Sequence, residues 1–306
     1  MSTTGPVDVQ ALCRGVRPLL LDRGPGTGGA RLRVEPTSQG GGCVKGLPLL
    51  PIACFVDGVQ AVRLLTTRAD RRPVYLATVA AGAIDPHVDR IADVRQQLTV
   101  LCSHRDEAWA RGLPGGCDVE AVDANHAAEI DLDVRAWVDR TRRDLEQQVL
   151  DRVLSSAAGK RWVVLDGSLG DLTADPAGGR APLVVGVVKT CEEQYLTDEH
   201  LSVHLLAEGE TSRAFVLPAA RRGQLDRITC YLRQYDATHQ PWTFGLVRIE
   251  LPAEHREHLA QAAATVLAGR QHRGVGDARW DRQQQWIARL ETALHAGFPY
   301  PLRAAA

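Results

Sequence analysis

Two stretches of this chain end an apolar run in an aspartate followed at once by glycine. Ile52-Ala53-Cys54-Phe55-Val56 leads into Asp57-Gly58, and Trp162-Val163-Val164-Leu165 leads into Asp166-Gly167. Consecutive apolar, valine-rich positions are how a strand covered on both faces of a sheet reads. An ionised carboxylate there is costly unless compensated, and a bound cation is one compensation. If the two strands pair in parallel, their carboxylates meet at one sheet edge and make a site for a divalent metal. The chemistry such a site performs is phosphodiester hydrolysis. Three or four carboxylates hold cations roughly 3.5–4 Å apart, one activating water and the other steadying the leaving oxygen. Glu146, on the inward-facing arc of the helix predicted between the two strands, is the candidate third acid. Plainer readings stand beside these: Asp-Gly also ends strands as a turn, and Arg142, four residues before Glu146, makes an ordinary helix-surface ion pair with it. Lys189 either balances the carboxylates or a phosphate, or stands at a solvated strand end.

Other constellations carry less. Gly24-Pro25-Gly26-Thr27-Gly28-Gly29 fits the spacing of a dinucleotide loop, but Pro25 stiffens it and alternating Arg31-Leu32-Arg33-Val34 follows instead of a helix. The pairs His200/His204 and His255/His258 lack a third zinc ligand close in sequence. No Gly-Lys-Ser/Thr phosphate loop and no Gly-x-Ser-x-Gly elbow is present, so ATP hydrolysis would belong to a partner. Lys plus Arg at 36 against Asp plus Glu at 37 gives no global basic field. Contact with a nucleic-acid backbone then falls to local groups such as Arg68/Arg71/Arg72, Arg140/Arg142/Arg143 and Arg221/Arg222. Seven cysteines without a CxxC pair read as reduced thiols of a cytoplasmic protein. No apolar run approaches membrane-spanning length.

The elements that must position the acids follow from periodicity. Residues 7–23 predict a short helix interrupted at Pro18, and glycine runs set off an N-terminal arm, 1–46, from a domain over 47–306. Residues 51–65, 73–83 and 97–102 predict an antiparallel meander, and 103–131 an irregular acidic insertion. Residues 131–156 predict a helix capped by Asp133, with Val138, Leu145, Val149 and Val153 on one face. The strand ending in Asp166 and another over 183–189 come next. Strands at 201–206, 212–217, 228–233 and 243–250 and helices at 255–267 and 281–295 complete the chain. Strand, meander, helix and returning parallel strand is the ribonuclease H-like order, so the fold class is α/β: a ribonuclease H-like mixed sheet flanked by helices, with additional C-terminal strands and helices.

Taken in order, Val56-Asp57-Gly58, the helix bearing Glu146, Leu165-Asp166-Gly167-Ser168-Leu169, Gly186-Val187-Val188-Lys189, Tyr195 and Gly297-Phe298-Pro299-Tyr300-Pro301-Leu302 resemble the NurA family of DNA-end-processing nucleases. The resemblance implies a ribonuclease H-like fold, a homodimer, manganese- or magnesium-dependent cleavage of DNA, and partnership with a HerA-type hexameric ATPase. It places Asp57, Glu146 and Asp166 where that family keeps its metal-binding acids, and Tyr195 where it keeps a tyrosine important for activity. Two departures stand out. Val59 occupies a position where serine is common, and the chain continues to Arg303-Ala304-Ala305-Ala306 where the family usually reaches a histidine. The expectation is therefore a metal-dependent deoxyribonuclease with catalytic residues Asp57, Glu146, Asp166, Tyr195 and Lys189. The competing expectation is a scaffold of the same fold that docks on the translocase without cutting.

Overall fold

The computed structural model describes residues 37–38, 40–68, 71–113, 117–122, 127–156, 161–170, 172, 181–189, 195, 203–271 and 280–299. The expected N-terminal helix, the glycine loop at 24–29 and the segment from Tyr300 onward lie outside them. One nine-stranded mixed sheet runs through the protein in the order β4-β3-β2-β1-β5-β6-β9-β8-β7. The meander is β1 (Ile52–Thr67), β2 (Pro73–Asp85) and β3 (Arg90–Ser103), each antiparallel to the next. A short helix α1 (Glu107–Arg111) then leads into β4 (Asp118–Val122), which pairs in parallel with β3. Helix α2 (Ala127–Ser156) carries the chain back to β5 (Trp162–Asp166), parallel to β1, and β6 (Val184–Val188) is parallel to β5. Strands β3-β2-β1-β5-β6 thus have the ribonuclease H-like order. Beyond β6 the sheet continues antiparallel through β9 (Leu246–Pro252), β8 (Arg227–Arg233) and β7 (Phe215–Leu217).

Alternation along β1 shows which layer each residue meets. Cys54 and Val56 join Val134, Val138 and Val149 of α2 in one core. Phe55 and Val59 face the other way, into a core shared with α3 (Leu259–Ala268) and α4 (Gln285–Ala296). β2 is buried from Pro73 through Ile84, as a strand with helices on both faces requires. Ile287, Leu290 and Leu294 seat α4 on the sheet, each burial worth roughly 1.5–3 kcal/mol.

Gly82 is what lets α4 come close. A Cβ there would sit 3.0 Å from the Asp93 carbonyl oxygen, 3.1 Å from Leu294 Cδ2 and 3.3 Å from Leu290 Cδ1. Gly82 is also the register partner of Asp57. Gly82→Ala is expected to lower stability by about 1–3 kcal/mol through overpacking against a backbone oxygen, as read by denaturant midpoint. An unchanged midpoint would show that α4 yields without cost.

Four expectations need correction. The region 103–131 is not irregular, since α1, β4 and the first turn of α2 occupy it. Helix α2 begins at Ala127, because buried Ile130 and Val134 extend its apolar face toward the N-terminus, and Asp133 lies inside the helix instead of capping it. The strand expected over 201–206 is a single 3-10 turn, Val203–Leu205, with Val203 buried and Leu205 81% exposed. The stretch 212–217 contributes only three strand residues, Phe215–Leu217. Among the described residues before position 47, Thr37 N donates to the Ala214 carbonyl, Val44 N to that of Gly209, and Val44 is buried in the main core. No helix of the described residues is long and apolar enough to cross a membrane.

Candidate metal centre

Strand register decides where the two aspartates go. Val56 lies beside Leu165 in the parallel β1–β5 pair, so the next step along both strands sets Asp57 beside Asp166. By alternation both side chains point to the α4 side, as Phe55 and Val164 do. Helix α4 supplies a third acid. Glu291 is four residues after Ile287 and three before Leu294, within the arc that faces the sheet. One oxygen each from Asp57, Asp166 and Glu291 lie within 4.8 Å of one another.

Asp57 is 3% exposed, and its Oδ2 is buried without a hydrogen-bond partner. Burial, then the Asp166 charge, hold its carboxyl well above the usual carboxylate range. Lys189 pulls the other way, and Glu291 and Glu146 add to the rise. Lys189, just past β6, donates from Nζ to Asp166 Oδ2 at 2.6 Å. Burial works against its positive charge, but Asp166, then Asp57 and Glu291, more than offset this and raise its pKa. Gln283 Nε2 donates to Glu291 Oε2 at 2.7 Å, fixing the rotamer of that acid. Three carboxylates thus face one ammonium, and one buried carboxylate oxygen has no proton donor. That donor set fits a divalent cation, which favours oxygen ligands and compensates surplus buried negative charge.

Glu146 arrives from the opposite face of β1. Its stem lies on Gly58, where a Cβ would stand 2.9 Å from Glu146 Cγ, and its carboxylate is paired with Arg142. It is 7% exposed, and burial pushes its carboxyl up to about 7 although Arg142 opposes the rise. One oxygen each of Asp57, Asp166 and Glu291 thus converges, while Glu146, the third acid expected with Asp57 and Asp166, meets β1 at Gly58 from the other face. Glu291 was legible by the arc argument applied to Glu146, since it falls on the apolar stripe of its helix.

Tyr195 packs beside Phe215 and Tyr231 over β7–β9, with the Arg248 guanidinium 4.8 Å from its ring centre. Its residue lies on the face of the sheet away from the α4 side. Of the basic groups, Arg72 and Arg68 engage Asp106 at 2.8 and 3.6 Å, and Arg221 and Arg222 are exposed. His255 and His258 flank the Trp162 ring, each 5.4 Å from it, and His200 lies outside the described residues.

No known family profile matches the chain, and no curated protein matches it by sequence. Among solved structures it is similar to the crystal structure of the NurA nuclease from Sulfolobus solfataricus. The identity is 10%, the TM-score 0.47, and the match covers 81% of this chain and 80% of that one.

Proposed function

We propose that this protein is a divalent-metal-dependent deoxyribonuclease whose metal is held by Asp57, Asp166 and Glu291. The observation that carries the reading is the convergence of three carboxylates, one of them the Asp57 group whose buried Oδ2 has no hydrogen-bond partner, at the end of β5, where β1 runs on toward Thr67. A bound Mn2+ or Mg2+ would supply Lewis-acid polarisation of a phosphoryl oxygen and lower the pKa of an attacking water. The chain's own residues do the rest. Asp57 is fixed in mid-strand, its backbone paired with Gly82 of β2 one step beyond the Val56–Leu165 pair with β5. Asp166 is steadied by the Lys189 ammonium, which also balances charge when a phosphate approaches. Gln283 keeps Glu291 turned inward.

The motif resemblance supports DNA as substrate, action at DNA ends in repair or defence, a homodimer, and a HerA-type hexameric ATPase as the motor that delivers the duplex. Incubating the purified protein with linear DNA and Mn2+ tests the enzyme reading; absence of metal-dependent cleavage, alone and with such an ATPase, would favour the scaffold. The two candidate third acids are separated by their amides. Glu291→Gln is expected to cut cleavage by about a hundredfold or more through loss of a metal ligand, several kcal/mol at 1.36 kcal/mol per decade. Glu146→Gln, which removes a carboxylate outside the converging trio, should cost far less. The opposite ranking would return Glu146 to the metal.

A further inference from the structure

Behind Asp166, on the face of the sheet away from the three acids, is a second charged cluster, buried at Glu250 and Arg248 and reaching the surface at Arg227 and Ser168. Glu250 of β9 is 0% exposed. Its Oε1 accepts from Arg248 Nη2 at 2.8 Å and Arg248 Nε at 3.1 Å, and its Oε2 lies 3.2 Å from Arg227 Nη1. A carboxylate gripped by two arginines has no need of further donors for its charge. Yet Oε2 also accepts from the Leu169 backbone N–H at 2.8 Å and from Ser168 Oγ at 2.9 Å, while Arg227 Nη1 donates to Ser168 Oγ at 2.9 Å. Ser168 and Leu169 belong to the turn that leaves Asp166.

That turn is held from three further sides. Gly167 has φ of +137°, which a side chain would resist, and its N–H donates to the Val187 carbonyl at 2.9 Å. Beneath it Gly186, the register partner of Glu250, has no side chain to spare: a Cβ there would meet the Gly167 oxygen at 2.8 Å and Leu169 Cγ at 2.9 Å. Buried ion clusters seldom add net stability over apolar packing, so stability alone does not account for this one.

Resting on the metal-centre reading above, we propose that Glu250 is a positioning residue: through Ser168 and the Leu169 N–H it holds the turn after β5 so that Asp166 stays beside Asp57 for the cation. Tyr195 enters the same network from outside, through its ring against Arg248. It thus bears on the site without touching the acids.

The test is Mn2+ titration by isothermal calorimetry on the full chain well below its melting temperature, with melting recorded in parallel. Glu250→Gln is expected to weaken Mn2+ binding by about tenfold or more, in the range found for residues that orient metal ligands. Ser168→Ala, which leaves the two arginines on Glu250, is expected to weaken it in the same direction with little change in melting. A residue that only stabilised the fold would lower the melting temperature and leave the affinity alone, and that result would overturn the proposal. If Glu250→Gln does not fold, Ser168→Ala decides: wild-type affinity rejects the positioning role, weakened affinity supports it. Wild-type protein that binds Mn2+ no better than Asp57→Asn would overturn the metal centre itself, a result distinct from either.

Discussion

Asp57→Asn should make the metal-free protein more stable while it removes DNA cleavage. The carboxylate of Asp57 is buried beside two other acids and has one oxygen without a donor, so its charge opposes folding until a cation arrives. The amide is neutral and of the same shape, and its NH2 would face the Asp166 and Glu291 carboxylates. At neutral pH a gain on the order of 2 kcal/mol is expected, seen as a rise of roughly 4–8 °C in Tm. Cleavage should fall about a thousandfold, since a lost metal ligand removes several kcal/mol of transition-state stabilisation at 1.36 kcal/mol per decade. A variant that melts lower than wild type without metal, or that still cuts, contradicts the assignment.

The second large effect is of cation and pH together. A carboxyl whose pKa is higher folded than unfolded holds its proton more tightly in the folded state. Stability is therefore greatest where that carboxyl stays protonated and is lost as pH rises from the unfolded value toward the folded one. Asp57 is raised in this sense, and Glu146 goes from 4.5 to about 7. Over that interval Glu146 alone withdraws about 3 kcal/mol. Wild-type protein in chelator should thus lose stability on going from pH 5 to pH 8 relative to Glu146→Gln. Mg2+ or Mn2+ competes with the proton on Asp57, so added metal should raise Tm strongly at pH 8 and weakly at pH 5. At a hundred times its Kd the cation contributes about 2.7 kcal/mol, or roughly 5–10 °C. Equal metal-induced shifts at both pH values would mean that the cation binds somewhere other than a group carrying a raised carboxyl.

The aspartates were legible because burial writes itself into composition. A valine-rich run has few reasons to end in a carboxylate, and two such runs with a helix between them already imply a parallel pair. Glu291 was harder to see, because a helix read for its apolar stripe yields Ile287, Leu290 and Leu294 and hides the acid set among them. Glu146 satisfied the same arc criterion, but arc position does not tell which face of the sheet a helix covers; α2 and α4 lie on opposite faces, and only the register of β1 assigns Asp57 to one of them. The 201–206 segment misled for a related reason. Alternating apolar residues fit a strand, yet Val203 turns inward and Leu205 outward on a single turn of 3-10 helix. β4 escaped notice since five residues of Asp118-Val119-Glu120-Ala121-Val122 at a sheet edge carry little periodic signal.

The antiparallel join of β6 to β9 welds the acid-bearing strands and the Glu250 ladder by main-chain bonds, Gly186 to Glu250 through Val188 to Arg248. No seam divides the sheet there, so a clamshell motion between its two halves would have to tear rungs from the ladder. The placing of Asp166 relative to Glu250 is accordingly set by main-chain pairing before any ligand arrives.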